Sequence, residues 1–181
     1  MIHVLVYDGV EMDAVNEVVP GVEEAFGLRV RVMEARPVPA GEAYNEKRDQ
    51  YRAGSLLAQV AGMKPGGALR IVGIVAPDIQ AGRFNFVYGL ASPDEGAAVV
   101  SVYRLRTPEE KRFRKRVLTE IVHELGHTFG MDHCHIERCV MHFSTHLGDV
   151  DRKGYRFCRF CRRELDGALA DILGDRPHVE K

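Results

Sequence analysis

Three histidines and one glutamate lie close together in the sequence, at spacings that suit a metal-dependent hydrolase. The segment reads His123-Glu124-Leu125-Gly126-His127-Thr128-Phe129-Gly130-Met131-Asp132-His133. On a helix, His123 and His127 are one turn apart and project from the same side, so both imidazoles can bind one zinc ion. Gly130 can adopt a positive φ without strain, which allows the chain to turn and bring His133 to the same ion. The spacing therefore predicts a zinc site with three histidine ligands.

The chemistry of such a site depends on its open position and on Glu124. Three neutral protein ligands leave the fourth position to water, whose pKa the metal lowers toward neutrality. Glu124 follows the first ligand and can take the proton of that water as it attacks a peptide carbonyl. The motif thus predicts peptide-bond hydrolysis with Glu124 as the catalytic general base. The alternative is a non-catalytic zinc-stabilised module that binds a peptide or protein, against which the presence of Glu124 argues.

A second group of metal-ligating residues begins directly after the third histidine. It consists of the four cysteines of the chain: Cys134, Cys139, Cys158 and Cys161. Four residues separate the first pair, two separate the second pair, and 18 residues lie between the pairs. This layout is typical of a closed Cys₄ structural zinc site, whereas disulfides are disfavoured in a reducing compartment. We therefore expect two zinc ions per chain, with the structural one anchoring the turn that carries His133.

These motifs carry a resemblance to a known family. HExxHxxGxxH resembles the metzincin clan of zinc peptidases, and its continuation with CxxxxCxM and a later CxxC resembles the archaemetzincins. The resemblance implies an α+β zincin fold, in which a twisted mixed five-stranded sheet lies above the active-site helix and a small zinc-stabilised subdomain follows. It also implies a second zinc on the four cysteines and a hydrophobic floor under the catalytic metal, formed by Met141. Where some metzincins have a tyrosine able to approach the metal, this chain has Phe143.

The composition and length bound the remaining possibilities. At 181 residues with 45% apolar content, the chain can bury one core, and its formal net charge of −1 provides no field to gather nucleic acid. We expect a single compact catalytic domain, with one subdomain at residues 1–130 and a C-terminal one at residues 131–181 that ends in a helix. The first eight residues do not have the pattern of a secretory signal and no apolar run is long enough to span a membrane, so we expect neither a signal peptide nor a membrane anchor. We therefore expect a cytoplasmic monomer that acts on peptides, with no nucleic-acid or membrane partner.

Apolar patterns predict the elements that position the motif. Strands are predicted at residues 2–7, 28–33, 69–75, 85–92 and 97–103, and helices between the first two strands and over residues 43–61. The active-site helix is predicted to start at a capping box with Thr107 as N-cap and Glu110 three residues later. One half of this helix is apolar: Phe113, Val117, Leu118, Ile121, Val122, Leu125 and Phe129. The other half, with His123 and His127, is expected to face a cleft.

Weaker signals concern the surroundings of the site. His135, His142 and His146 follow the motif and could contact substrate, although surface histidines are the more common case. The basic run at residues 111–116 is interpreted as a solvated helix face and not as a nucleic-acid site. The strand near residues 86–91 could be the edge onto which an extended peptide adds as a further strand. Residues from Gly174 onward are expected to form a loose tail.

Overall fold

The fold is built around a mixed β-sheet of five strands. The structure is a computed structural model that describes residues 1–38, 41 and 43–174, and the tail predicted beyond Gly174 lies outside these residues. The strands are β1 (Ile2–Tyr7), β2 (Val30–Arg36), β3 (Tyr44–Asn45), β4 (Gln50–Arg52), β5 (Arg70–Val75), β6 (Ile79–Gln80), β7 (Gly89–Ser92) and β8 (Ala97–Ser101). The helices are α1 (Met12–Phe26), α2 (Ala53–Gly62), α3 (Glu110–Thr128), α4 (Leu147–Lys153) and α5 (Arg159–Leu173).

The order of strands in the main sheet is β2-β1-β5-β8-β7. Strands β2, β1, β5 and β8 are parallel, and β7 pairs antiparallel with β8 at one edge. A smaller sheet contains β3, β4 and β6, with β4 parallel to β6. The predicted five-stranded mixed sheet of an α+β fold is therefore confirmed, whereas the small sheet was not predicted.

The two faces of the sheet are both covered, and β1 shows how. Ile2, Val4 and Val6 belong to the core cluster that contains buried residues of α1, α3 and α5. The alternate residues Leu5 and Tyr7 belong to the cluster that contains residues of α2. Because side chains of a strand alternate between its faces, the active-site helix α3 lies on the opposite face of the sheet from α2.

The prediction of one helix over residues 43–61 is wrong in its first part. There the chain forms β3 and β4, and the helix begins only at Ala53. The buried Gln50 side chain donates to Asp78 Oδ2 over 2.8 Å, and the backbone N–H of Tyr51 donates to the Asp78 carbonyl over 2.9 Å. These partners are far away in the sequence, so local periodicity could not reveal them, and tertiary pairing overrides the helical pattern.

The predicted capping box at Thr107 is also wrong. Helix α3 begins at Glu110, with Glu109 at the N-cap position, and the Glu109 side chain makes no capping hydrogen bond. Thr107 precedes Pro108, and a residue before proline is biased toward extended backbone. The Glu109 carbonyl accepts the first helical hydrogen bond, from the Phe113 N–H over 3.0 Å. The helix therefore starts later than the sequence pattern predicts.

Smaller differences concern the ends of other elements. The second strand runs over Val30–Arg36, and only Gly89–Ser92 of the segment predicted at residues 85–92 is a strand. Pro20 lies inside α1, on its exposed side. The predicted terminal helix is α5, which buries Cys161, Leu165 and Leu169. Within the described ranges, no helix is both long and apolar enough to cross a membrane.

Candidate active site

Helix α3 carries the motif at its C-terminal end. Its predicted apolar half is in the core: Val117, Leu118, Ile121, Val122, Leu125 and the following Phe129 are buried, and Phe113 packs against the same cluster. The helix ends at Thr128, and Gly130 then adopts a φ of 85°, as the predicted turn requires. Within this turn, the Met131 N–H donates to the Gly126 carbonyl over 3.3 Å. The turn brings His133 back toward the helix.

The three histidines of the motif converge on one point. One ring nitrogen from each of His123, His127 and His133 lies within 4.8 Å of the others. The Nε2 atoms of His123 and His127 are 3.2 Å apart. Two ligands bonded at about 2.0–2.1 Å to a tetrahedral zinc are separated by about 3.3 Å, so this spacing fits the ion.

Backbone carbonyls orient two of the three rings. His123 Nδ1 lies 2.7 Å from the carbonyl oxygen of Val140, and His127 Nδ1 lies 2.6 Å from that of Met131. A carbonyl can only accept, so each Nδ1 carries the proton and donates it. The Nε2 lone pairs are then directed at the shared centre, which is the usual way in which an outer partner fixes the tautomer of a metal-binding histidine.

The electrostatic environment keeps these rings neutral. Burial lowers the pKa of His123 well below its ordinary value, and the charge of Lys153 lowers it further. Burial also lowers the pKa of His127, although the hydrogen bond to Met131 opposes this, and it lowers the pKa of His133 together with the neighbouring His127. A neutral imidazole is the form that binds a metal, so the donor set fits zinc.

Glu124 points into the same cleft beneath the edge strand β7. A Cβ atom added to Gly89 of β7 would lie 2.5 Å from Glu124 Cγ and 2.7 Å from its Oε1 atom. Burial, and then the charge of Glu120, raises the pKa of Glu124 to about 8, while Lys153 acts in the opposite direction. A cation held by the adjacent histidines would favour the carboxylate and lower this pKa.

The cleft has a volume of about 420 Å³ and is bordered by β7 and the segment before it. Its walls include exposed aromatic rings, with Phe84 52% exposed and Phe143 47% exposed. The ring of Phe143 lies 4.8 Å from that of His133, measured between centroids. The position that a tyrosine occupies in some metzincins is therefore at the site, but it carries no hydroxyl.

A polar network holds the rim segment that contains Phe84 and Phe86. Arg104 forms a two-point ion pair with Asp78, at 2.8 and 2.7 Å, and its guanidinium lies 4.0 Å above the ring of Phe86. Gln50 Nε2 donates both to Asp78 Oδ2 and, over 2.9 Å, to the carbonyl of Asn85. The small sheet that the sequence did not predict thus supports one wall of the cleft.

The four cysteines form a second cluster. Their sulfur atoms all lie within 4.8 Å of one another, and none of the four is in a disulfide. The Sγ atoms of Cys134 and Cys158 are 3.9 Å apart. Burial acts against ionisation of Cys158, but the N–H groups of Cys161 and Phe160 at the start of α5 lower its pKa to about 7. Burial raises the pKa of Cys139 and of Cys161, and a bound cation would favour the thiolate form that binds zinc, so four sulfur atoms at this spacing fit a closed Cys₄ site.

The two clusters are linked at two points along the chain. His133 is followed directly by Cys134, and Cys139 is followed directly by Val140, whose carbonyl orients His123. The Cys134 N–H donates to the carbonyl of Met141 over 2.9 Å, and His142 Nδ1 donates to the carbonyl of Cys134 over 2.9 Å. Of the three histidines, His133 is therefore bonded directly to a cysteine, and His123 is oriented by the residue that follows one.

The remaining predicted residues have different locations. Met141 is fully buried and packs against α3 at Gly126, next to His127. The His142 ring donates to the backbone carbonyl of Cys134. His146 is the N-cap of α4 and forms a capping box with Asp149. These two histidines and the exposed His135 are absent from the described lining of the cleft.

Sequence reasoning missed Gly89, Glu120 and Lys153. Lys153 Nζ lies 3.1 Å from Glu120 Oε1 and 3.3 Å from His123 Nδ1. Glu120 had one available signal, since a charged residue interrupts the largely apolar stretch from Val117 to Val122. Gly89 and Lys153 had none, because they approach the motif only in the folded chain.

Comparison with known proteins gives consistent results. The profile of Peptidase family M54 matches residues 4–167. An archaemetzincin of Methanopyrus kandleri is 44% identical over 148 residues, covering 82% of this chain and 83% of the relative. An archaemetzincin of Pyrococcus furiosus is 36% identical over 152 residues, covering 80% of this chain and 79% of the relative.

Solved structures show the same similarity. The crystal structure of archaemetzincin from Methanopyrus kandleri has a TM-score of 0.84 at 39% identity and covers 93% of this chain and 95% of that one. The archaemetzincin of Archaeoglobus fulgidus, solved in complex with malonate, has a TM-score of 0.80 at 35% identity and covers 91% of this chain and 99% of that one.

Proposed function

The chain belongs to Peptidase family M54, the family of the archaemetzincins, and is a zinc metallopeptidase that acts on peptides; from this premise we propose that His123, His127 and His133 hold the catalytic zinc and that Glu124 is the general base. We also propose a structural zinc on Cys134, Cys139, Cys158 and Cys161, and a division into subdomains at residues 1–130 and 131–181. The observation that carries the catalytic assignment is the convergence of three neutral imidazoles and one carboxylate on a single cleft.

Each residue then has a defined task. Zinc bound at the three histidines would supply the Lewis acidity that lowers the pKa of a water molecule and polarises the substrate carbonyl. Glu124 accepts the proton of the attacking water and returns it to the leaving amine. The carbonyls of Val140 and Met131 keep His123 and His127 in the tautomer that leaves Nε2 free. The ring of Phe143 lies edge-on to the ring of His133, at the open side of the site.

Strand β7 offers the place for the substrate backbone. It is the terminal strand of the sheet, so its outer edge has unpaired N–H and C=O groups that an extended peptide can use. Gly89 of this strand lies directly beside Glu124, so a peptide paired with β7 passes close to the general base. This arrangement supports the prediction that the strand near residues 86–91 is the substrate-binding edge.

The lining of the cleft indicates which peptides fit. Among its described residues there is no lysine or arginine that could bind a terminal carboxylate, and its two glutamates, Glu120 and Glu124, are buried. The walls include three phenylalanine rings, Phe84, Phe86 and Phe143. We therefore propose cleavage of internal peptide bonds that are flanked by large apolar side chains.

Membership of a peptidase family favours this function over the alternative of a non-catalytic binding module. The test is to incubate the zinc-loaded protein with a diverse peptide library and to locate the cleaved bonds by mass spectrometry. We expect cuts at internal bonds next to aromatic or large aliphatic residues. The variant Glu124→Gln should lose about 10²–10⁴-fold in turnover while it keeps its zinc, because Glu124 handles protons and is not a ligand.

Glu110→Gln is the matched control, since Glu110 lies in the exposed first turn of the same helix. It should cleave the library like the unmodified protein. Undiminished turnover in Glu124→Gln would refute the assignment of the base. The absence of any cleavage by the zinc-loaded, unmodified protein would leave the binding module as the better interpretation.

A further inference from the structure

A fully buried ion pair lies beside the histidine cluster, and the mechanism above gives it no task. Lys153, the last residue of α4, places its Nζ atom 3.1 Å from Oε1 of Glu120. The side chains are 0% and 2% exposed. Glu120 is on α3, one helical turn before Glu124. Charges so deeply buried are rarely retained unless they have a specific partner or a specific role.

The ammonium group of Lys153 has two further neighbours. It donates to the carbonyl of His142 over 3.2 Å and lies 3.3 Å from Nδ1 of His123. The proton of that Nδ1 is directed to the Val140 carbonyl at 2.7 Å, so Lys153 contacts the ring without donating to it. Lys153 therefore links α4 to α3 and to the segment 140–142 at the same time.

That segment positions two of the three histidines. Its Val140 carbonyl orients His123, and its Met141 carbonyl accepts the backbone N–H of Cys134, the residue after His133. His142 Nδ1 donates to the carbonyl of Cys134. A shift of this segment would thus move two candidate ligands together.

Attachment of α4 does not by itself require this pair. Asp151 of α4 already forms a two-point ion pair with Arg116 of α3, at 2.6 and 2.7 Å, and Val150 is buried in the core. Well-packed apolar residues hold two helices together at least as well as a buried ion pair does. What apolar residues cannot supply is a donor to the His142 carbonyl.

We propose that Lys153 and Glu120 are positioning residues of the active site: Glu120 holds the Lys153 ammonium, and Lys153 fixes the segment 140–142 and, through it, the geometry of His123 and His133. This inference rests on the proposed zinc site. It assigns to the pair no contact with the substrate.

Variants of both residues test the proposal. Lys153→Met and Glu120→Gln should each lower the affinity of the histidine site for zinc by about 10–100-fold, as is typical for groups that orient metal ligands. The affinity is measured by competition with a chromophoric chelator, at a strength that leaves cysteine-bound zinc in place. At saturating zinc, kcat should fall while KM changes less than about twofold, because the change affects the reacting geometry and not the binding of the peptide.

The double variant Glu120→Leu, Lys153→Met separates positioning from simple stability. No unpaired charge remains in it, so its melting temperature should recover toward that of the unmodified protein. Its zinc affinity and kcat should stay low, because the donor to the His142 carbonyl is still missing. Asp151→Asn is the control, which should lower the melting temperature and leave zinc affinity and kcat unchanged.

A double variant with unmodified zinc affinity and kcat would show that the pair is only structural and would overturn the proposal. The zinc affinities are measured without any substrate. They therefore test the positioning role even if the unmodified protein cleaves no peptide, which would refute the proposed function alone.

Discussion

At Gly89, a single hydrogen atom in place of a side chain leaves the space that Glu124 occupies. A Cβ atom there would lie 2.5–2.7 Å from three atoms of the Glu124 side chain. We expect Gly89→Ala to push the carboxylate away from its position and to lower kcat by at least about 100-fold, since a displacement of about 1 Å at a reacting group has an effect of this size. Steady-state kinetics with a peptide found in the library screen would measure it.

Gly62→Ala provides the matched control for this substitution. Gly62 ends α2, and an added Cβ would have no atom within 4 Å. Its kinetics should equal those of the unmodified protein. Zinc content and melting temperature should also be recorded for Gly89→Ala, because a loss of zinc or of fold would mean that the glycine has a role other than making room for Glu124.

Single residues differ in how far the sequence could predict their place. His123, Glu124, His127 and His133 lie within a few residues of one another, so helix geometry and one glycine turn were sufficient to place them together. Gly89 lies 35 positions before Glu124 in the printed sequence and approaches it only because β7 is laid over α3. The spacing of residues in the sequence can predict contacts within one helix and the turn after it. It cannot predict contacts between separate elements.

Among the elements, β5 and α2 pack unusually closely at Gly73. An added Cβ at Gly73 would overlap the Val60 side chain of α2 and lie 3.2 Å from the ring of Tyr7. Val60 is β-branched and fully buried, so it cannot rotate away. We expect Gly73→Ala to lower the free energy of unfolding by about 1–3 kcal/mol, as overpacked cores do. Chemical denaturation of the zinc-loaded protein would measure the change.

The partner substitution makes this prediction specific. Val60→Ala alone should also destabilise, because it leaves a cavity. In the double variant the added methyl group fills part of that cavity, so the loss should be smaller than the sum of the two single losses by about 1 kcal/mol. Additive losses would show that Gly73 and Val60 do not meet as the structure has them.

A second element, α4, is attached to α3 through a titratable group. The Arg116 guanidinium bonded to Asp151 holds the pKa of this carboxyl below its ordinary value, although partial burial opposes the effect. A carboxyl with a lowered pKa in the folded protein stabilises the fold above its unfolded-state pKa, and this contribution is lost as the pH falls through the folded-state value. The pair should therefore stabilise α4 at neutral pH and not in strong acid.

Replacement of Asp151 by Asn should reveal this window. At pH 7 the variant should be less stable by about 1 kcal/mol, a value that allows for the partial exposure of Asp151. The difference between the two proteins should shrink below about pH 4, where the carboxyl of the unmodified protein becomes protonated. Thermal melts of both proteins across this range are the measurement, and a difference that is constant with pH would contradict the assignment.

Secondary structure was predicted correctly where it follows a local apolar pattern, and wrongly where contacts with residues distant in the sequence determine it. The apolar runs of β1, β5 and β8 are buried strands in the centre of the main sheet, and the sequence predicted all three. Residues 44–52 read as the start of a helix, but Asp78 and Asn85 supply the partners for Gln50 and Tyr51. The same distant contacts support the cleft rim, so the unpredicted small sheet is part of what shapes the site.

For the whole molecule, we expect two zinc ions that leave in a fixed order. The histidine cluster opens to the cleft, whereas four thiolates would enclose a metal and would tie its binding to the fold of the C-terminal third. Mild chelation should yield a folded, inactive protein with about one zinc, and harsher treatment should unfold the segment around α5. Elemental analysis together with circular dichroism would follow both steps.

Variants should separate the two metals. His127→Ala should abolish activity with little change in melting temperature. Replacing Cys158 and Cys161 by Ser should lower the melting temperature by at least about 10 °C and weaken zinc binding at the histidines as well. A single zinc that leaves only on unfolding, or disulfides found by thiol titration of the native protein, would refute the model of two metal sites.

The clusters are joined by the His133–Cys134 peptide bond and by Val140, which follows Cys139 and whose carbonyl orients His123, so metals bound at both clusters would be coupled thermodynamically. A metal on the cysteines that improves the zinc affinity of the histidines by some factor must, by reciprocity, gain the same factor in its own affinity when the histidines are loaded. Emptying the peptidase site would then do more than stop catalysis. It would also remove the coupling free energy from the cysteine site, so that protein with an empty histidine site would bind metal at the cysteines less tightly than protein with a loaded one.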